Sequence, residues 1–468
     1  MLDGRTFFLP VRELGARLRA RKLSSVELTT AVLQRLEHMG PHYNAIVTPM
    51  RESALREARR ADQELRSGPD RGPLHGIPYG VKDLIATKGV RTTWGATPYR
   101  NQIFDEDATV VTRLREAGAV LCGKLAMVEL AGGMGYNNAD ASFTGPGINP
   151  WNRKFWSGGS SSGPGAAVAA GLVPFAIGSE TSGSILTPAS FCGVTGLRPT
   201  YGQVSRHGAM ALSWTLDKLG PMGRTADDCA LVLSAIAGRD PNDPSTVDRA
   251  FEWNGPRPSA ERTRIGVPKG CTEKVQPAVR DNFEHALEAL RDVADVTRDV
   301  EWPDLPWGPA VGAIVGAEGA SAFLDLIESG LVKELRCPRD QHGGYAGTLI
   351  PAVDYLQAMR LRGRMKKEVG ALFQRFDVLA TPGRAAVANP LDKNFEDVYP
   401  GISGGPPLIP AGNLCGLPAL CLPNGFGENG LPTAIAFMGP AFSEDILASL
   451  GAAYQKRSDW HTRRPPGT

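Results

Sequence analysis

The stretch Trp156 to Thr200, WSGGSSSGPGAAVAAGLVPFAIGSETSGSILTPASFCGVTGLRPT, constrains this chain more than any other. It packs eight serines and nine glycines into 45 residues, as two clusters separated by an Ala/Val-rich run. Pro164 to Ala170 is short enough for one buried helix, and Leu172 to Ile177 has the length of a buried strand. Gly158 to Gly163 and Ser182 to Ser184 then become loops on rigid elements, the usual place for functional groups. Glycine lets backbone N–H groups approach a ligand with no Cβ in the way, and serine brings hydroxyls. The combination points to a site built from hydroxyls and backbone amides.

Other chemistries find less support. The seven cysteines are scattered and contain no C-x-x-C pair, which argues against a zinc site or a disulfide framework and for the reduced thiols of a cytoplasm. The 51 Lys and Arg nearly balance the 49 Asp and Glu, and Arg360 to Lys367 reads as a solvated helix face, so no nucleic-acid partner is expected. The N-terminus lacks the apolar core of a secretory signal, and no long uninterrupted apolar stretch occurs, so a cytoplasmic protein without membrane contact is expected.

Along the chain, helical and strand patterns alternate from end to end. Val11, Leu14 and Leu18 mark one helix, and Ser24 to Glu27 forms a capping box before a second. Asn44 to Val47 reads as a strand and Glu52 to Leu65 as an amphipathic helix; Ala119 to Cys122, Arg264 to Pro268, Val378 to Thr381, Gly416 to Phe426 and Thr433 to Met438 read as further strands. Between residues 302 and 350 the only helical pattern is Ala317 to Glu328; Tyr355 to Phe376 is a long helix, and Ser443 caps a last one. With no linker or repeat, the chain reads as one α/β domain over residues 1–468: a helical N-terminal region (1–65), a core (74–240) and a substrate-shaping region (300–375).

Lys82 lies inside the strand-like run LHGIPYGVKDLI, residues 74–85. It could end the strand in a salt bridge with Asp83 or Asp105, or act as a base if burial lowers its pKa. Gly118 to Leu125 nearly matches a phosphate-binding loop, but Leu125 replaces the metal-reaching hydroxyl and apolar AVLC fills the cradle. Gly132, Gly133 and Met134 belong to a glycine loop that could line a pocket with Trp214 and parts of residues 305–350. Such a pocket would be apolar and suit an uncharged small molecule, aromatic ones included.

Two nucleophile arrangements compete. Gly159 to Gly163 matches the lipase-like G-x-S-x-G elbow with Ser161 as nucleophile, but Asn149 to Lys154 is a poor strand to lead into it. His207, His285, His342 and His461 also stand in unremarkable contexts. The other arrangement needs no histidine: a serine from each loop and the lysine. A neutral lysine is an adequate base once its pKa falls from about 10.4 to about 7 or 8, a shift of roughly 3 to 5 kcal/mol that burial can supply.

Several motifs together resemble the amidase signature family. They are Leu74 to Ile85, Gly123-Lys124 with Glu129, Gly158 to Ser161, Gly178 to Ile185 with Pro188 to Gly193, Leu219 to Met222 with Arg224-Thr225, Ile265 to Pro268, and Gly416 to Ala419. The resemblance runs in the family's order from about residue 10 to about residue 455. It implies an α/β fold whose central mixed, mostly parallel sheet is covered by helices on both faces. It also implies a Ser-Ser-Lys triad: Ser184 as nucleophile, Ser160 as the bridging serine on a cis peptide bond, and Lys82 as base. The backbone N–H groups of Thr181, Ser182, Gly183 and Ser184 match the family's oxyanion hole, and neither metal nor organic cofactor is needed.

Three positions depart from the family pattern: Glu180 stands for Asp, Ser182 for Gly, and Leu186 for Arg. The expected function is hydrolysis of amide bonds, with carbamates and esters open to the same acyl transfer. The alternatives are the glutaminase component of a tRNA-dependent amidotransferase, a Ser-His-Asp hydrolase and a non-catalytic binding protein. Against the first, Tyr355 to Arg364 lacks the paired-Arg, Gly-rich pattern expected for gripping glutamine.

Overall fold

In the computed structural model, which describes residues 2–256, 262–405 and 408–468, the capping box forms as the sequence requires. The Ser24 hydroxyl accepts from the Glu27 N–H at 3.1 Å while the Glu27 carboxylate accepts from the Ser24 N–H at 2.8 Å, and the helix Ser25–His38 follows. This helix packs with Arg51–Ser67 near one end of a single eleven-stranded sheet formed by the described residues.

The strands are β1 (Ile46–Pro49), β2 (Pro78–Lys82), β3 (Val120–Leu125), β4 (Phe175–Glu180), β5 (Thr195–Arg198), β6 (Lys218–Gly223), β7 (Thr263–Pro268), β8 (Ala294–Val300), β9 (Val378–Pro382), β10 (Ala419–Phe426) and β11 (Pro432–Met438). Their order across the sheet is β1-β3-β2-β4-β6-β5-β10-β11-β9-β7-β8. The sheet is mixed and flanked by helices, but the expectation of mostly parallel pairing is corrected. Among the described residues only β2 with β3 and β4, and β7 with β8 and β9, are parallel. The six remaining pairings are antiparallel. The middle of the sheet turns antiparallel because β5, β6, β10 and β11 meet there; β10 and β11 are joined by a tight turn, for which no crossover helix is needed.

Chemistry-bearing residues fall at the C-terminal ends of two neighbouring parallel strands. Lys82 closes β2, and Ser179 and Glu180 close β4. The second of these strands begins at Phe175, three residues later than the apolar pattern suggested. The Leu172 N–H still bonds back to the Ala167 carbonyl at 2.8 Å, and Pro174 follows. Gly118 to Leu125 is the turn into the fully buried β3, and no loop there could cradle a phosphate. The Ser443 hydroxyl donates to the Pro440 carbonyl at 2.7 Å instead of capping the last helix, Glu444–Gln455.

The region 302–350 holds more helix than its periodicity shows: Trp307–Ala322, Leu324–Glu328 and Asp340–Thr348. The third is masked by three glycines. One of them, Gly343, lies so close to the Met134 carbonyl that a Cβ would come within 1.6 Å of the oxygen. That contact seats the helix on the loop Gly132 to Met134. Among the described residues no helix is long and apolar enough to cross a membrane.

Candidate active site

Lys82 is fully buried, and its Nζ donates to the Ser160 hydroxyl at 2.7 Å and the Ser179 hydroxyl at 2.8 Å. Neither expected salt bridge forms: Asp83 lies 3.5 Å from Lys124, and Asp105 pairs with Lys88. Burial therefore dominates the Lys82 amine and lowers its pKa to about 7, against the opposing pull of Asp217 and Glu180. A lysine in this state is part neutral at neutral pH, and its hydrogen-bond partners are two hydroxyls.

Ser160 follows a cis peptide bond from Gly159 and is fully buried. Its carbonyl accepts from the Val128 N–H at 3.1 Å, and the N–H of the next residue, Ser161, donates to the Ser184 carbonyl at 3.2 Å. The two serine loops are thus bonded to each other. Ser161 does not suit the elbow reading: it is fully buried, and its hydroxyl donates to the Ser179 carbonyl and accepts from the Ser179 N–H.

Ser184 faces a cavity of about 780 Å³, whose walls also include Gly159, Thr181 and Ser182. Gly132, Gly133 and Met134 line it, as do Val311, Val315, Gly343 and Ile350. Trp214 does not: it borders a separate cavity beside Ser179 and Asp217. No histidine lines the Ser184 cavity among the described residues.

The loop before Ser184 accommodates Ser182 because its left-handed residue is Gly183, at φ +94°. Glu180 holds the loop from beneath. Its Oε2 accepts from the N–H groups of Ile185 and Leu186 at 2.9 and 3.0 Å; its Oε1 accepts from Arg198 at 2.9 Å and the Asn413 amide at 2.8 Å. Burial alone would raise the Glu180 carboxyl, but Arg198, the Asn413 amide, Lys218 and the Ile185 N–H together keep its pKa below the usual range. Thr181 is tied down separately, donating from its hydroxyl to Asp217 at 2.6 Å.

Sequence reasoning did not find Ser179, Arg198, Asp217, Asn413 or Arg384. Ser179 had a signal, since alternation along β4 sets it and Ile177 on one face. The others approach the site from distant segments and left no local pattern. Arg384 also alters the pocket expected from sequence, because it adds a cation to an otherwise largely apolar wall.

Comparison with known proteins agrees with this architecture. The family model described as Amidase matches residues 27–447. The chain is 38% identical to the A subunit of glutamyl-tRNA(Gln) amidotransferase from Methylococcus capsulatus, covering 97% of this chain and 98% of that one. The solved structure of native peptide amidase from Stenotrophomonas maltophilia superposes with a TM-score of 0.84 at 32% identity, covering 98% of each chain. That of the corresponding amidotransferase A subunit from Thermotoga maritima gives 0.80 at 29%, covering 98% of this chain and 96% of that one. With its family model spanning most of the sequence, the chain belongs to the amidase family.

Proposed function

We propose that this protein hydrolyses the C–N bond of a small amide by acyl transfer through Ser184. The observation that carries the reading is the Lys82 amine, buried without a bonded carboxylate and held at 2.7 Å from Ser160, in the loop bonded to residue 184. In this reading Lys82 takes the Ser160 proton as Ser160 takes that of Ser184, and Ser184 attacks the carbonyl carbon. The N–H groups of Thr181 to Ser184 receive the oxyanion, a stabilisation of about 3 to 4 kcal/mol for a single well-placed donor. The proton returns through Ser160 to the departing amine, and water releases the acyl group. Carbamates and esters are accessible to the same steps. Hydrolysis of a panel of 4-nitroanilides, aliphatic amides and aryl carbamates, with Ser184→Ala as the control, tests the reading; turnover that survives the substitution sinks it.

A second reading, as the glutaminase component of a tRNA-dependent amidotransferase, is favoured by the names of the relatives. Against it, no described residue of the helix Ala352–Leu372 lines the Ser184 cavity, and Arg362 is committed to the carbonyls of Leu414 and Thr215. Ammonia release from glutamine that depends on a co-purifying protein would decide for this reading.

A further inference from the structure

Arg384 follows β9 by two residues and lines the cavity that Ser184 faces. Arg384 is solvent-exposed, and the protein packed around the cavity lowers its pKa from the usual arginine value. Arginine starts so high that it keeps its charge through such a shift. No hydrogen bond or ion pair engages the guanidinium among the described residues, and its aromatic contact is Phe191, with Cζ 5.9 Å from the ring centroid.

The groups that act on Arg384 through space do not neutralise it. Tyr136 is half-buried and Cys421 buried, and desolvation pushes both toward their neutral forms. The carboxylate among them, Glu180, is already engaged by Arg198, Asn413 and two backbone N–H groups. A guanidinium at the cavity wall with no bonded counter-charge is free to pair with an anion carried into the cavity.

We propose that Arg384 binds a carboxylate carried by the substrate, so that the enzyme acts on amides bearing an acid group. The planar guanidinium fork matches a carboxylate's two oxygens. A single arginine balances one negative charge, whereas a phosphate dianion would remain half neutralised. Trp156, Phe191 and Phe395, which line the same cavity, would cover the carbon skeleton. This replaces the uncharged substrate expected from sequence, and it rests on the reading that amides occupy the cavity beside Ser184.

The test is calorimetric titration of the full-length Ser184→Ala protein with the mono-4-nitroanilides of succinic and glutaric acid and with the neutral 4-nitroanilides of butyric and valeric acid. Each acid is expected to bind roughly 10- to 100-fold more tightly than its chain-matched neutral partner. Arg384→Met in the same background brings that ratio close to one, and Arg384→Lys, which keeps the charge without the fork, retains part of it. A ratio near one with Arg384 present, no binding of either acid, or a ratio that survives Arg384→Met would overturn the proposal. Because binding is read without turnover, such a failure leaves the hydrolysis reading standing, and a protein inactive on every amide still yields the ratio.

Discussion

Glu180 and Arg198 meet at 2.9 Å with both side chains fully buried, directly beneath the loop that presents Ser184. Removing one member of such a pair leaves an uncompensated buried charge, so Arg198→Met is expected to lower stability by about 3 to 5 kcal/mol. The depressed Glu180 pKa fixes the sign of the pH effect. Its stabilisation is present above the unfolded value of about 4.3 and lost as pH falls through the folded one. Urea denaturation should therefore show the full difference at pH 7 and a shrinking one below about pH 4. A difference under about 1 kcal/mol at pH 7 would mean the pair does not hold the loop.

The proposed role of Lys82 as base predicts the pH dependence of turnover. Its amine, lowered by burial to about 7, would serve as base only when neutral. The rate kcat/KM is expected to climb about tenfold per pH unit below this value and level off above it. Lys82→Arg should abolish the rate together with its pH limb. A flat profile from pH 5 to 8 with the native lysine would rule Lys82 out as the base. Between the folded value and the unfolded one of about 10.4 the unfolded chain binds more protons, so this group makes stability rise with pH.

Gly183→Ala tests the proposed oxyanion role of the loop before Ser184. An added Cβ would meet the Ile409 side chain at 3.1 Å and the Thr187 hydroxyl at 3.2 Å, on a backbone at φ +94°. The left-handed strain is about 1 to 2 kcal/mol, and a displaced donor costs about 10² to 10³ in kcat. A loss of kcat with near-unchanged KM, measured at a pH above 8, is the expected outcome; wild-type kcat would show that these N–H groups do not serve the transition state.

The helix Asp340–Thr348 carries a second electrostatic feature. Asp340 is fully buried, and burial followed by the Glu129 carboxyl pushes its pKa up to about 9. Glu129 already accepts from the N–H groups of Arg336 and Cys337 at 2.8 and 2.9 Å. A raised carboxyl pKa destabilises as pH climbs from the unfolded value of about 3.9 to the folded one. Asp340→Asn should therefore raise the melting temperature at pH 8 and flatten its decline between pH 6 and 9; a lower melting temperature across that range would contradict the assignment.

The parts of the site that were legible in sequence are those whose constraint is local. Two Ser/Gly clusters flank one apolar run, and Lys82 interrupts a strand-like segment, so each could be read from its immediate neighbours. The pattern at Glu180, Ser182 and Leu186 flagged a rearranged charge, but its partners were out of reach. Arg198 sits in a four-residue strand with no alternation to mark it, and Asn413 comes from 233 residues downstream. Sheet direction failed for a related reason: Lys218–Gly223 and Thr195–Arg198 are short and rich in glycine, and pairing partners are chosen by packing across the whole chain. The helix Asp340–Thr348 escaped because its glycines, needed for close approach to Met134, are poor helix formers.

The most direct measurement of the central claim is where a serine-directed fluorophosphonate attaches, read by intact-mass and peptide mass spectrometry. The account requires one label per chain, on the peptide carrying Ser184, lost in Ser184→Ala and strongly slowed in Lys82→Ala. A label on Ser161, or a label that persists in Ser184→Ala, would contradict it.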